Sequence, residues 1–176
     1  MSTLVADIPH LVTRVIPADP SNYYHDETRT NYDLIVNHIT DGHESVEGTA
    51  KMFQKAHHGA SCNFAVGSAP LEIIQCVPMR FGAWHCMGRK PTDPLPDAID
   101  KFKQNALINR RSIGIEHGAR TPGELGRNDK GIPLTEPQLR LSAKLVAYLC
   151  KAGGFVPSRT RIVGHVEADP TTSHTD

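Results

Sequence analysis

Short runs of β-branched and apolar residues, separated by turn-forming residues, recur along this chain and predict β-strands. Five such runs occupy residues 34–36, 64–66, 71–77, 112–116 and 161–164. The second and third runs flank Gly67-Ser68-Ala69-Pro70, a turn-forming sequence, and so predict a hairpin. Two histidines stand at the ends of strands, because His38 follows the first run closely and His165 directly follows the last.

Two longer stretches have the spacing of about 3.6 residues that is typical of amphipathic helices. The first covers residues 44–58 and the second covers residues 135–152. In the second, Thr135 is a good N-cap, with Gln138 three residues later to complete a capping box. Its apolar residues are Leu139, Ala143, Leu145, Val146, Leu149 and Cys150. Because these cover most of the circumference, we expect this helix to pack deeply.

The alternation of strands and helices predicts an α/β fold with a central mixed β-sheet flanked by helices. At 176 residues the chain is long enough for one domain with a substantial core, and we expect a single domain over residues 1–176. Residues 1–30 are expected to form an irregular N-terminal extension. Residues 15–33 and 117–134 are rich in Gly, Pro and polar residues, and either line a binding groove or only connect the elements.

Composition excludes several classes of function. Lys plus Arg and Asp plus Glu both number 19, so the chain has no basic field to attract nucleic acid or an anionic membrane. No apolar run approaches the length of a membrane span, and no signal peptide is recognisable, so we expect synthesis in the cytoplasm without membrane insertion. The four cysteines form no C-x-x-C pair, which favours reduced, buried thiols.

Two histidines and one aspartate have the residue types of a catalytic zinc site, which has three protein ligands and an open fourth position. His38, His165 and Asp176 are the candidates. At neutral pH, imidazole and carboxylate become ligands with little cost of deprotonation. The sequence therefore predicts one Zn²⁺ per chain.

Five short motifs, in this order, make the pattern specific: I-V-N-H, S-C-N-F-A-V, A-W-H-C-M-G, S-I-G-I-E and a C-terminal G-H followed by H-T-D. Together they resemble the type 2 N-acetylmuramoyl-L-alanine amidases, a family that includes phage lysozyme-amidases and peptidoglycan recognition proteins. The resemblance runs from about residue 31 to the end. It implies that family's fold, a peptidoglycan or muropeptide substrate, and hydrolysis of the amide between the lactyl group of N-acetylmuramic acid and L-alanine.

The resemblance also implies roles for individual residues. His38, His165 and Asp176 match the zinc ligands of the family. Glu116 matches the general base, and a carboxylate at the end of an apolar strand is partly desolvated, where it can accept a proton from water. His174 stands where the family commonly has Lys, so it would stabilise the oxyanion and return a proton to the leaving amine.

A second group of positions concerns the substrate. Trp84 and His85 match a turn beside the substrate groove in the family, and we expect them to contact substrate. Two neighbouring positions depart from the family: Cys62 replaces a Tyr, and Asn63 replaces a His. The thiol is a poor substitute for the phenol, which leaves Glu116 with more of the proton transfer.

Two other classes of protein compete with a zinc amidase. The first is a peptidoglycan-binding protein of the same fold without catalysis, but such proteins typically lack a zinc ligand. The second is a cysteine peptidase that uses Cys86 or Cys62 with a histidine. Nothing in the sequence lowers the pKa of either thiol, so this class is disfavoured.

Within the amidase interpretation two biological roles remain. A phage or prophage endolysin acts on the intact cell wall after release from the cytoplasm, whereas a recycling enzyme cuts small anhydro-muropeptides in the cytoplasm. We favour the endolysin. The sequence ends at Asp176, where relatives continue, so we expect either that it was cut from a longer protein, in which case a wall-binding domain could be missing from this chain, or that its terminus is unusually placed.

Overall fold

The structure, a computed structural model, describes residues 5–86, 108–124, 126 and 128–168. The strands within these residues are β1 Arg14–Val15, β2 Leu34–Ile39, β3 Phe64–Ser68, β4 Leu71–Gln75, β5 Ser112–His117 and β6 Ile162–Gly164. The helices are α1 Glu47–Phe53, α2 Ile108–Arg111, α3 Glu136–Gly153 and α4 His165–Ala168.

All of these strands belong to one mixed sheet, in the order β1-β4-β3-β5-β2-β6. The β3–β4 hairpin is antiparallel and every other neighbouring pair is parallel. The predicted α/β fold with a central mixed sheet is therefore confirmed, and so is the predicted hairpin. At the centre, β2 and β5 pair from Leu34 with Ser112 to Ile39 with His117.

The two faces of the central strands bury different partners, because side chains alternate between the faces of a sheet. On one face, Ile35, Ile113 and Ile115 pack with Leu145 and Leu149 of α3. The opposite face is covered by two smaller clusters. One surrounds α1 and contains Val46, Ala50, Phe53, Ala65 and Ile74. The other contains Leu34, Val36, Cys86, Ile108, Val163 and Ala168.

Helix α3, Glu136–Gly153, begins and ends within one residue of the range 135–152 that its sequence predicts. Gln138 donates its backbone N–H to the Thr135 hydroxyl over 3.4 Å, and Thr135 returns its N–H to the Gln138 side chain over 3.3 Å. This capping box satisfies two donors at the first turn. At the other end, Gly154 has φ of +69°, a left-handed conformation that favours glycine and ends the helix.

The buried face of α3 differs from the prediction. It contains Gln138 and Ser142 beside Leu145 and Leu149, while Leu139 is 44% exposed. The Gln138 amide donates to the backbone carbonyls of Val66 over 2.9 Å and Gly118 over 3.2 Å. These bonds satisfy a buried polar side chain and orient the helix, so part of its apolar circumference faces outward.

The first predicted helix is shorter than residues 44–58. It begins at Glu47, because Glu44 uses its backbone carbonyl to accept the N–H of Ser68 over 3.0 Å. Past the end of α1, His57 has φ of +56°, which is incompatible with a continuing right-handed helix.

The N-terminal residues are more closely integrated than the irregular extension predicted for residues 1–30. β1 lies along the edge of the sheet, in parallel pairing with Ile74 and Gln75 of β4. Ile8 is fully buried in the core beneath α3. Among the described residues, none of the helices combines the length and the apolar composition that crossing a membrane requires.

Candidate active site

A cavity of about 570 Å³ opens beside the carboxyl ends of β2 and β5. Its lining includes five residues that the sequence singled out: His38, Trp84, His85, Glu116 and His165. Parallel strands bring their carboxyl ends to one edge of a sheet, where binding sites of α/β proteins commonly lie. The other two candidates, His174 and Asp176, lie outside the described residues.

His38 and Glu116 are neighbours across two strands. They are paired in the register of β2 and β5, so both side chains lie on the face opposite α3. His38 is buried and Glu116 is half-buried at the cavity. The arrangement places a carboxylate next to the first predicted metal ligand.

His165 is the second predicted ligand and lies against His38. Its strand, β6, pairs with β2 up to Gly164 opposite Asn37, which delivers the next residue to the same edge. The two imidazole ring centres are 4.5 Å apart and the ring planes are inclined by 59°. Coordination by His38, His165 and Asp176 stays a prediction, because Asp176 lies outside the described residues.

His85 also contacts His38, although the sequence suggested only a substrate contact. His85 Nδ1 lies 3.0 Å from His38 Nε2 and 3.4 Å from the Sγ of Cys86. The ligand atoms of these three residues all lie within 4.8 Å of one another. His85 can approach the sheet this closely because Gly114 has no side chain: a Cβ there would lie 2.5 Å from the His85 ring.

The hydrogen bonds of Ser112 fix which nitrogen of His85 carries the proton. The Ser112 hydroxyl donates to the Ile108 carbonyl over 2.7 Å, so it must accept from His85 Nε2 over 2.9 Å. The Nδ1 lone pair therefore points at His38 and Cys86. Burial, aided by the charge of Arg29, lowers the pKa of His85 to about 3, so the ring is neutral at physiological pH.

Asn109 holds the backbone that carries these donors. Its side-chain oxygen accepts the N–H of Cys86 over 2.8 Å and that of His85 over 3.3 Å. Its amide nitrogen donates to the Cys86 carbonyl over 2.9 Å. One side chain thus satisfies both backbone groups of Cys86 and fixes the position of its thiol.

Trp84, the residue that precedes His85, forms part of the cavity wall. Its backbone N–H donates to the Ser61 hydroxyl over 3.0 Å, and its carbonyl accepts the Ser61 N–H over 2.8 Å. The indole packs edge-on against Tyr24, with ring centres 5.8 Å apart. The buried indole nitrogen has no hydrogen-bond partner among the described residues. Contact between Trp84 and substrate stays a prediction.

The cysteines agree with the prediction of reduced, buried thiols, since all four are buried and none is in a disulfide. Burial, followed by a hydrogen bond with Cys76, raises the pKa of Cys62 well above its ordinary value. A thiol that stays protonated is a poor nucleophile, which disfavours a peptidase based on Cys62.

The sequence missed the residues that hold the site together. Cys86 was considered only as a nucleophile, whereas the structure places its sulfur 3.4 Å from His85 Nδ1. Asn109 gave no local signal, and the S-I-G-I-E motif that contains Ser112 and Gly114 did not indicate their contacts with His85, because each of the three acts on a segment more than twenty residues away in sequence.

Comparison with known families gives an extensive match. A family model described as N-acetylmuramoyl-L-alanine amidase matches residues 28–176, which is most of the chain. No curated protein matches the chain.

Several solved structures share the fold. The E. coli amidase AmiD, solved with its substrate anhydro-N-acetylmuramic acid-L-Ala-D-γ-Glu-L-Lys, has a TM-score of 0.57 and 19% identity, over 78% of this chain and 49% of AmiD. This chain thus spans about half the length of AmiD. The catalytic domain of XlyA has a TM-score of 0.55 and 19% identity, over 91% of this chain and 88% of that domain. PlyL has a TM-score of 0.54 and 16% identity, over 88% of this chain and 81% of PlyL.

Proposed function

The chain belongs to the N-acetylmuramoyl-L-alanine amidase family, and from that premise we propose that it is a zinc-dependent hydrolase of the amide bond between N-acetylmuramic acid and L-alanine in peptidoglycan. The observation that carries the proposal is the convergence of His38, Glu116 and His165 on one cavity. Two imidazoles beside a carboxylate are the groups that metal-assisted amide hydrolysis requires.

The residues at the cavity fit a zinc ion. His38 and His165 are both buried, and their adjacent rings supply nitrogen donors at the carboxyl edge of the sheet. Together with Asp176 they would provide the three protein ligands of a catalytic site. When bound, zinc polarises the scissile carbonyl as a Lewis acid.

Glu116 manages the proton in this proposal. Its carboxylate lies at the cavity beside His38, where it accepts the proton of the attacking water, while His174 is proposed to return a proton to the leaving amine. His174 is proposed to offset the negative charge that develops on the carbonyl oxygen. Trp84 is proposed to contact the substrate at the cavity wall.

The proposed biological role is that of a phage or prophage endolysin, made in the cytoplasm and active on the cell wall after release. The alternative is a recycling enzyme that cuts small anhydro-muropeptides, and the substrate bound in the AmiD structure is of this kind. A non-catalytic binding protein is the remaining alternative. The first two roles are separated by comparing the rates of hydrolysis of intact sacculi and of soluble anhydro-muropeptides at equal concentration of the amide. An endolysin should cut the sacculi faster, and a recycling enzyme should cut the soluble muropeptides faster.

Mass spectrometry of the products tests the activity itself. Digestion of purified peptidoglycan should release alanine amino groups and bare glycan without new reducing ends. New reducing sugar, or new amino groups only on the third residue of the peptide, would contradict the amidase assignment. Chelation should abolish the reaction and added zinc should restore it.

A further inference from the structure

The donors His85 and Cys86 line the same cavity as the proposed amidase site, but the zinc ligands proposed there, His38, His165 and Asp176, include neither of them. His38 Nε2, His85 Nδ1 and Cys86 Sγ form a compact group, with separations of 3.0 Å between the two nitrogens and 3.4 Å between His85 Nδ1 and sulfur. All three atoms lie within 4.8 Å of one another.

These separations are close to the edges of a tetrahedral metal site. Zinc bonds of about 2.0–2.1 Å to nitrogen and about 2.3 Å to sulfur imply edges of roughly 3.3 Å between nitrogens and roughly 3.6 Å between nitrogen and sulfur. The observed 3.0 and 3.4 Å differ from these by a few tenths of an ångström. Side-chain rotation of that size brings these two pairs to the metal-site values, and the third pair, His38 and Cys86, has ligand atoms within 4.8 Å of each other.

The surroundings also have the form of a metal site. A metal-binding histidine usually donates its other ring N–H to a fixed oxygen, which orients the ring and directs the lone pair at the metal. His85 does this through Ser112, whose own proton is held by the Ile108 carbonyl. Cys86 is fixed through Asn109, which bonds both of its backbone groups.

We propose that His38, His85 and Cys86 form a thiolate-containing metal set that binds Zn²⁺ or a softer ion such as Cd²⁺. On binding, the Cys86 thiol releases its proton to solvent as the sulfur–metal bond forms. Thiolate favours soft ions over hard ones, so this set prefers Cd²⁺ to Mg²⁺ or Mn²⁺. The proposal goes beyond the amidase function and does not depend on it, although His38 belongs to both sets.

Cadmium titration of the chelator-stripped full chain tests the proposal through the thiolate-to-metal charge-transfer absorption. The wild type should develop the band up to one equivalent. Cys86→Ser should lack the band and His85→Gln should bind more than about 100-fold more weakly, beyond the range that loss of an outer-shell contact produces. Cys150→Ala is the matched control, since Cys150 is a buried residue of α3 in the core on the other face of the sheet, and it should keep the band. His165→Ala should also keep it.

Three results would overturn the proposal: no band in the wild type, a band of full strength in Cys86→Ser, or a band lost in His165→Ala but kept in His85→Gln. Circular dichroism checks that each variant folds. If Cys86→Ser does not fold, alkylation mapping of the wild type replaces it. Cadmium should then protect Cys86 from iodoacetamide, and equal labelling with and without cadmium contradicts the site.

The amidase assay reports separately on the proposed function. Because that assay measures released alanine amino groups, an inactive protein that still shows the cadmium band refutes the amidase and supports the metal set. An active protein without the band supports the amidase and refutes the metal set.

Discussion

The two faces of β2 and β5 each contain a buried histidine, and the two histidines have different kinds of partner. On the face beneath α3, His117 donates from Nδ1 to the His38 carbonyl over 2.9 Å and accepts at Nε2 from the Ser142 hydroxyl over 2.8 Å. On the other face, His85 is anchored by Ser112 through one nitrogen, and its second nitrogen faces another imidazole and a thiol.

This difference shows that burial alone does not identify a functional histidine. Burial lowers the pKa of His117 as it does that of His85, so both rings are neutral. What separates them is the nature of the second partner. A hydroxyl and a carbonyl complete the hydrogen bonds of His117 and make it a support for β2. The lone pair of His85 instead faces an imidazole nitrogen and a thiol sulfur, atoms of the kinds that can bind a metal.

Glu116→Gln should have the largest effect, because it removes a proton acceptor from the functional face while keeping the side chain's shape. We expect turnover to fall by about 10² to 10⁴, the usual range for a general base. Product release should be compared at equal zinc occupancy. Glu136→Gln is the matched control, since its side chain is exposed at the start of α3, and it should retain wild-type turnover. If Glu116→Gln kept wild-type turnover, a group other than Glu116 would have to accept the proton.

Gly114→Ala tests whether His85 needs its close approach to β5. The added methyl meets the His85 ring at 2.5 Å, so the ring must move away from His38 and cadmium affinity should fall by about 10- to 100-fold. Gly48→Ala is the control, because nothing lies within 4 Å of a Cβ at this position in α1. It should leave affinity unchanged and raise stability by about 0.4–1 kcal/mol. Equal affinities in both variants would show that the ring position is unimportant.

Ser142→Ala and Ser112→Ala remove one hydroxyl from each face. Loss of Ser142 leaves a buried His117 nitrogen unpaired, which should cost about 1–3 kcal/mol in the free energy of unfolding, with cadmium affinity unchanged. Loss of Ser112 frees the orientation of His85 and should mainly reduce cadmium affinity. Urea denaturation and cadmium titration of both variants measure the two effects. If both variants lost the same amount of stability and of cadmium affinity, the two faces of the sheet would not differ in the way described.

Leu139→Gln should have the smallest effect. Leu139 is 44% exposed on α3, so its replacement should change the free energy of unfolding by less than about 0.5 kcal/mol. Leu145, fully buried on the same helix, provides the contrast, and Leu145→Ala should cost about 2–5 kcal/mol. Denaturation of both variants decides which face of α3 is the packed one, and similar costs would favour the deep packing that the sequence predicted.

The features that the sequence predicted correctly are those with local causes. The start of α3 follows from Thr135 and Gln138, which cap it within one turn. Its orientation did not follow, because Gln138 is buried through carbonyls of β3 and of the residues after β5. A hydrogen bond to a distant backbone outweighed the apolar pattern.

At the site too, some features could be predicted from sequence and others depend on contacts between distant segments. His38, Glu116 and His165 were grouped through the family resemblance, and the structure brings them together because each stands at or just past the carboxyl end of a strand, where such ends meet at one edge. The association of Cys86 with His38 could not be derived, since it depends on how residues 84–86 fold back over the sheet. No periodicity encodes that path.

Asn109 has a consequence for how such sites vary among related proteins. Its amide takes the place that a neighbouring strand would have, bonding both sides of the Cys86 backbone. A substitution there shifts the thiol although Asn109 is not a ligand. Because both bonds are made to backbone groups, which any residue other than proline would present at position 86, we expect Asn109 to persist among homologues even where the residue at 86 differs.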